Sequence, residues 1–431
     1  MSHLPKLLWA YWRAKHMRFK DRSSLLTYQQ QQLARHLHWV SKHSPFYASY
    51  KGLPLAAWPI IDKASMMTHF DQMNTAGLTL TKVMQAALES EQDRDFSPMV
   101  RGYTVGLSSG TSGQRGAFVV SAAERAQWAG TILAKLLPKG LFSGERVAFF
   151  LRANSNLYTA IQSKWISFQF FDLFSPFSAH LQTLAEYRPT ILVAPAQVLR
   201  AVALATHEGA INIHPKKVIS VAEVLDPMDR PLITQTLGEL HEVYQATEGF
   251  LACTCAHGVL HLNEEYIHIE PEWLDQEKRR FVPIITDFTR ATQPIIRYRL
   301  NDVLLARDEP CACGLPTMAL DAIEGRCDDM LILTSSTGER VTVFADVISR
   351  ALAQVLPLHA EYLLLQTNAA ELTLYATAPL DALTLTSNHL NAVFIQLGID
   401  VGALKWSLEN VVPPLTPGSK RRRIRREVFP F

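Results

Sequence analysis

Nine consecutive residues, Ser108-Ser109-Gly110-Thr111-Ser112-Gly113-Gln114-Arg115-Gly116, carry three glycines and four hydroxyl side chains directly after the strand-like run Tyr103 to Leu107. Such a loop can wrap a phosphate: glycine lets the backbone approach closely and turn its N–H groups toward an anion, and hydroxyls add uncharged donors. The Lys-Ser/Thr ending of a Walker loop and the glycine spacing of a dinucleotide fingerprint are both missing, so neither assignment applies. A flexible surface loop is the alternative. A second segment, Val243-Tyr244-Gln245-Ala246-Thr247-Glu248-Gly249, runs from strand-forming residues into a hydroxyl, a carboxylate and a glycine. Magnesium takes one or two protein carboxylates and fills its shell with phosphate oxygens and water, so Glu248 suffices to hold it beside a polyphosphate. An ordinary surface carboxylate is the competing reading.

The five cysteines are Cys253, Cys255, Cys311, Cys313 and Cys327. An odd number in a long chain does not resemble the disulfide framework of a small secreted domain and points to a reducing cytoplasm. Cys255, His261, Cys311 and Cys313 together offer three thiolates and an imidazole, which satisfy a closed tetrahedral zinc. Cys253 can replace Cys255 in that set, and reduced buried thiols with a satisfied histidine are the alternative to a metal. Four protein ligands leave no open position, so the zinc would clamp a loop and take no part in bond making. Cys327 reads as a small core residue. Near the C-terminus, six of the seven residues from Lys420 to Arg426 are Lys or Arg, which a nucleic-acid or acidic-membrane patch would also explain.

These residues need elements to position them. Val147 to Leu151, Ile191 to Ala194, Val218 to Val221 and Val243 to Tyr244 alternate with helical stretches, the rhythm of a mainly parallel sheet. Ligands of such sheets bind beyond the carboxyl ends of the strands, where loops and helix N-termini converge. Leu7 to His38 has helical spacing that Ser44-Pro45-Phe46 stops, and its Leu and Trp face is expected to pack on the rest of the domain rather than on a membrane surface. Leu53 to Met73, with Pro54, Pro59 and Asp62-Lys63, predicts a loop followed by a short helix. A chain of 431 residues implies two or three units, and 48% hydrophobic with 19% charged residues excludes disorder as a global description. The balance of 42 basic against 40 acidic residues, a net +2, gives no general case for nucleic acid or membrane. No run approaches the roughly 18 apolar residues of a membrane span, and Leu7 to Trp12 is too short for a signal peptide.

Further along come Thr286-Asp287-Phe288, then Pro294-Ile295-Ile296-Arg297-Tyr298-Arg299-Leu300-Asn301-Asp302, then Glu324-Gly325-Arg326-Cys327-Asp328-Asp329-Met330. With the hydroxyl-glycine loop and the Tyr244-x-x-Thr247-Glu248 phrase before them, in this order, they resemble the adenylate-forming enzymes, and within these the phenylacetate-CoA ligase-like branch. Leu53 to Lys63 and Tyr244 to Gly249 are most similar to the deazaflavin-adenylating synthetases and indoleacetate-lysine ligases. The likeness runs from about Ser44 to Lys420.

The resemblance implies an α/β fold. A large N-terminal adenylation domain, residues 1–325, holds ATP and a carboxylic acid on mainly parallel sheets. A small mobile α+β C-terminal lid, residues 326–431, rotates about Asp328 between two half-reactions. It further implies that Ser108, Ser109, Gly110, Thr111, Ser112, Gly113 and Gly116 embrace the phosphates and that Ala222 and Glu223 lie near adenine. Tyr244, Gln245 and Thr247 flank the nucleotide, Glu248 binds magnesium, and Asp302 grips the ribose hydroxyls. Lys420, after Pro417-Gly418-Ser419, enters the site during adenylation and stabilises charge on the reacting carboxylate and α-phosphate. Arg326 joins Glu248, Asp328 and Lys420 in the catalytic set, while the arginines after Lys420 are expected to be solvated. Some members of the branch hold a structural zinc in phrases like those around Cys255, His261, Cys311 and Cys313. Two departures matter: Gln114 stands where many members carry lysine, with Arg115 the substitute, and Leu331 to Val343 lacks the glycine-rich phrase that helps build a CoA-facing lid.

The activity so implied is ATP-dependent ligation. An aromatic or other apolar carboxylic acid becomes an acyl-AMP with release of pyrophosphate, and the acyl group passes to a thiol of CoA or a carrier protein. Transfer to the amine of an amino acid and nucleotidyl transfer to a cofactor are the alternatives. A non-catalytic nucleic-acid-binding protein on a ligase scaffold is a fourth reading.

Overall fold

Two helices begin the chain, Leu4–His16 and Arg22–His43. Asp21 starts the second by a reciprocal cap, its carboxylate accepting the Ser24 N–H while the Ser24 hydroxyl accepts the Asp21 N–H. The first helix lies on helix Ala122–Leu136, where a Cβ at Gly130 would sit 2.4 Å from the Leu7 carbonyl oxygen, so glycine is what lets the two backbones touch. Leu7 and Ala10 are buried there, but Trp9 and Trp12 are 57% and 58% exposed. The expected packing of the whole Leu and Trp face therefore holds for only part of it: at about 100° per residue, both tryptophans fall on the side away from Leu7 and Ala10. This computed structural model describes residues 4–93, 98–108, 116–137, 140–141, 143–151, 166–173, 175, 177–326, 330–357, 360–414 and 422–427. Ser109, Gly110, Thr111, Ser112, Gly113, Gln114, Arg115, Cys327, Asp328, Asp329 and Lys420 lie outside the described residues.

The centre of the molecule is a twelve-stranded sheet. Ile166–Asp172, Glu145–Leu151, Ile191–Ala194, Lys217–Ser220 and Leu240–Ala246 lie side by side in that order and pair in parallel. All four runs read from the sequence are among them. Ile191–Ala194 and Lys217–Ser220 are buried along their full length, as strands covered by helices on both faces must be. Helices Ala196–His207 and Asp229–Leu237 cover one face through Leu199 and Ile233, and Ala122–Leu136 covers the other through Ala129 and Leu133.

At Leu240–Ala246 the pairing changes. This strand turns back onto Gly249–Thr254, and the sheet continues antiparallel through Leu260–Leu262, Ala319–Arg326, Asp302–Ala306, Arg280–Asp287 and Ile267–Trp273, with Ile295–Arg299 branching onto Arg280–Asp287. The parallel half thus ends where the antiparallel half begins, at the Thr247-Glu248 turn.

The C-terminal residues form separate sheets. Leu331–Thr334 and Arg340–Val343 make a hairpin. Lys405–Glu409, Glu371–Ala376, Tyr362–Gln366 and Ile424–Arg426 make a four-stranded sheet in that order, flanked by helices Ala345–Ala353 and Leu380–Gln396. Their core gathers Leu331, Ile348, Tyr362, Leu374 and Phe394, and one residue from far upstream, Met228. Among the described residues no helix is long and apolar enough to cross a membrane.

Candidate active site

A cavity of about 1140 Å³ lies beyond the carboxyl ends of the parallel strands. Ser108, Ala222, Glu223, Tyr244, Gln245, Thr247, Glu248, Asp302 and Arg326 all line it, although they come from five separate stretches of chain. Ala222 follows strand Lys217–Ser220 with φ 65°, a left-handed conformation that costs a non-glycine residue energy and re-aims the chain toward the cavity. Glu223 accepts hydrogen bonds from the backbone N–H and the Nε2 of Gln197, at 3.2 and 2.8 Å, and so caps helix Ala196–His207 at its positive end.

Thr247 and Glu248 form the two-residue turn between strands that pair Ala246 with Gly249. A Cβ on Gly249 would lie 2.9 Å from Asp287 Oδ2, so the turn packs closely on that carboxylate. Burial pushes the Glu248 carboxyl up, and the Asp302 charge adds to this; a hydrogen bond from Tyr298 and the Arg290 cation pull it down. The Tyr244 hydroxyl donates to Asp302 Oδ2 at 2.5 Å, and Arg326 Nε stands 3.9 Å from Asp302 Oδ1. Asp302 and Arg326 face each other across paired strands. Burial first, and the Asp302 charge second, push the Tyr244 phenol well up, so it stays a donor at neutral pH.

The base of the hydroxyl-glycine loop is closed by its own ends: Ser108 N–H donates to the Gly116 carbonyl at 2.7 Å, and Gly116 N–H donates to Ser108 Oγ at 2.8 Å. Beside this closure lies a small pocket lined by Lys63, Ser108, Gly116, Thr247, Glu248, Arg290 and Tyr298. Lys63, Arg290 and Tyr298 were not read from the sequence as site residues. Asp62 caps helix Lys63–Thr68 by accepting the Ser65 N–H at 2.8 Å, which places Lys63 in the first turn and facing the cavity. That Asp-x-x-Ser cap was the available signal. Arg290 is buried; its Nη1 donates to the Thr247 carbonyl at 3.0 Å, and its Nε and Nη2 have no hydrogen-bond partner among the described residues. Part of the cavity wall is apolar, with Trp128, Ile132, Leu136, Phe149, Val193 and Val221, and the Trp128 indole N–H donates to Gln245 Oε1 at 3.2 Å.

A second constellation forms at the far end of strand Gly249–Thr254. Ligand atoms of Cys255, His261, Cys311 and Cys313 all lie within 4.8 Å of one another. Cys255 Sγ is 3.7 Å from Cys311 Sγ, and Cys313 Sγ is 3.3 Å from His261 Nε2. The other ring nitrogen, His261 Nδ1, meets Thr317 Oγ1 at 3.1 Å and orients the imidazole. Backbone N–H groups of His257 and Leu315 point at Cys255 and Cys313. Cys253 is not part of this group: it is buried beside Asn263, which leaves Cys255 as the strand's contribution.

The basic C-terminal run departs from expectation. Arg422 lines the cavity, and Arg423 is a nearly buried side chain held by Asp226 and Asp229. Parallel pairing of Ile424–Arg426 with Tyr362–Gln366 draws this segment onto the sheet, so the arginines after Lys420 do not form a uniformly solvated tail.

The chain is similar to solved structures throughout its length. A 2-hydroxyisobutyryl-CoA ligase in the postadenylation state, in complex with 2-HIB-AMP, matches with a TM-score of 0.68 at 18% identity, over 96% of this chain and 91% of that one. The same ligase with 2-HIB-AMP and CoA in the thioesterification state matches over the same shares, at 18% identity, with a TM-score of 0.53. The GH3.15 acyl acid amido synthetase matches with a TM-score of 0.58 at 12% identity, over 94% of this chain and 91% of that one. No protein-family profile and no curated protein matches. The chain has the α/β fold of adenylate-forming ligases.

Proposed function

We propose that this protein is an ATP-dependent ligase that converts an aromatic or other apolar carboxylic acid into an acyl-AMP. The observation that carries the reading is the convergence of Ser108, Ala222, Thr247, Glu248, Asp302 and Arg326 on one cavity with an apolar wall. A substrate carboxylate oxygen attacks the α-phosphorus of ATP, a P–O bond forms, and the bond to the departing pyrophosphate breaks. Asp302, oriented by the Tyr244 hydroxyl, accepts the ribose hydroxyls. The loop from Ser108 to Gly116 donates to phosphate oxygens, and Lys63 and Arg290 supply beside it the positive charge that Gln114 does not. Trp128, Ile132 and Phe149 receive the apolar part of the acid.

Glu248 fits a magnesium site: a carboxylate pushed up by burial and by a second acid is relieved by a divalent cation. Magnesium there would neutralise phosphate charge as pyrophosphate leaves. The Cys255, His261, Cys311 and Cys313 group fits zinc, since tetrahedral bonds place thiolates about 3.7 Å apart and a thiolate about 3.5 Å from an imidazole nitrogen. In this reading residues 326–431 act as the lid, with Asp328 at the hinge and Lys420 reaching the reacting carboxylate. The four described cysteines are free thiols, which suits the cytoplasm.

The acyl group then passes to a thiol of CoA or a carrier protein. A second reading, transfer to an amine, is favoured by the Leu331–Thr334 and Arg340–Val343 hairpin, which is closed by a short Ser335-Ser336-Thr337-Gly338-Glu339 turn with no glycine-rich phrase. Incubation with ATP, magnesium and a panel of carboxylic acids should give acid-dependent exchange of pyrophosphate into ATP. Silence across an aromatic and aliphatic panel overturns the ligase reading. Adding CoA and then amino acids, with the product identified by mass, separates a thioester from an amide.

A further inference from the structure

The loop that follows strand Lys217–Ser220 does two things at once. Ala222 to Pro227 line the cavity proposed for the nucleotide, and Met228 packs into the core of the C-terminal residues. Met228 is 3% exposed and packs among Leu331, Ile348, Leu352 and Tyr362. On either side of it stand two buried carboxylates. Asp226 Oδ1 accepts the Met228 N–H at 2.8 Å, while its Oδ2 accepts the Tyr362 hydroxyl at 2.5 Å and pairs with Arg423 Nη1 at 2.9 Å. Asp229 Oδ2 pairs with Arg423 Nη2 at 3.0 Å, and its Oδ1 pairs with Arg200 Nε at 3.0 Å. Arg200 reaches on to Glu361 at 2.5 Å, and the Arg423 guanidinium lies 5.0 Å from the centre of the Tyr362 ring.

We propose that Arg423 is a positioning residue of the adenylation step: forked between Asp226 and Asp229, it clamps the C-terminal sheet over the nucleotide cavity. The proposal rests on the ligase reading of the cavity. An arginine fork held by two carboxylates fixes orientation as well as distance, which a lysine cannot do. Strand Ile424–Arg426 follows Arg423 directly and pairs with the strand that carries Tyr362, so the clamp sets the register of the whole sheet against the large domain. Any rotation of that sheet has to withdraw Met228 from an apolar core, leave the buried Asp226 without its cation and leave the buried Asp229 with Arg200 alone, a cost that holds the two parts together. The clamp acts through the placement of the C-terminal segment, although Asp226, Asp229 and Arg423 also line the cavity.

The test separates the two half-reactions in the full-length chain. Arg423→Ala is expected to lower kcat of acid-dependent pyrophosphate exchange by about tenfold or more. Hydrolysis of supplied acyl-AMP should change by less than about twofold, because the residues proposed to hold the nucleotide, Ala222, Glu223 and Asp302, are untouched. Arg423→Lys, which keeps the charge and loses the fork, should fall between wild type and Arg423→Ala. Tyr362→Phe keeps the ring and removes the hydroxyl bonds to Asp226 and Ser349, and it should show the same split to a smaller degree, so the test survives if Arg423→Ala folds poorly. Small-angle X-ray scattering should report a larger radius of gyration for Arg423→Ala than for wild type. Proportional loss of both half-reactions, or unchanged scattering, overturns the clamp. Absence of exchange in the wild type would sink the ligase reading instead, and scattering would still decide whether Arg423 holds the sheet in place.

Discussion

Strand Gly249–Thr254 carries a chemically rich group at each end, and the two ends are built on opposite plans. Glu248 at the start is one carboxylate beside a large cavity, with a tyrosine and an arginine near it and, among the described residues, no cluster of three or more metal-ligating groups around it. Cys255 at the end belongs to four ligand atoms within 4.8 Å of one another, with a threonine fixing the histidine. The open arrangement leaves coordination positions for a substrate, and the closed one fills them all with protein. One strand thus joins a centre suited to chemistry to a centre suited to holding a loop.

The comparison can be broken by removing each group in turn. Glu248→Gln should lower pyrophosphate exchange by about 10²- to 10³-fold, the scale for removing one charge-stabilising group from a transition state, with the melting temperature unchanged. A large loss of stability with intact exchange per folded molecule would assign Glu248 to the scaffold. Cys313→Ser should do the reverse. It should abolish stoichiometric zinc by elemental mass spectrometry and cost about 2–3 kcal/mol of stability, while folded protein retains activity. Zinc-dependent exchange with unchanged stability would place the metal in the chemistry and erase the contrast.

Asp287, packed behind Gly249, sharpens the picture through pH. Burial pushes its carboxyl up from the ordinary 3.8 to about 6, against bonds from Thr289 and the charge of Arg290. The folded chain therefore binds a proton that the unfolded chain has released, and stability should fall as pH rises from about 4 to about 6, by on the order of 2 kcal/mol. Asp287→Asn should flatten that stretch of the melting-temperature profile; an identical profile would mean that Asp287 is not the titrating group. The smallest effect is expected from Gly249→Ala, whose Cβ meets Asp287 Oδ2 at 2.9 Å. A loss of about 1 kcal/mol with a few-fold rise in KM for ATP would show that the close turn aims Glu248, whereas an unchanged KM would not.

What was legible in the sequence follows a physical pattern. Glu248 was legible from its own segment, where a strand runs out into a turn, while Tyr244, Thr247 and Asp302 were singled out through the family resemblance of their phrases, and the cavity brings all four together. The four parallel strands were legible from apolar runs that only a sheet covered on both faces tolerates. The antiparallel half was not: Ile267–Trp273 and Ala319–Arg326 are partly exposed, and the pairing of Leu260–Leu262 with Ala319–Arg326 joins segments distant in the chain. Arg290 and Tyr298 reach the cavity only through tertiary packing, which leaves no local mark on an arginine or a tyrosine, whereas Lys63 had the Asp62 cap before it as a local signal. The basic run after Lys420 reads as a solvated tail until its pairing with Tyr362–Gln366 turns Arg423 inward to Asp226 and Asp229. The cysteine spacing left Cys253 and Cys255 equivalent, and only the strand's end at Thr254 separates them.

A crystal of the full chain grown with ATP, magnesium and a non-reactive analogue of the acid tests the central claim most directly. The account predicts the ribose on Asp302, the adenine against Ala222 and Glu223, and a magnesium ion on Glu248. Nucleotide bound outside this cavity, or Glu248 and Asp302 turned away from it, would contradict the account.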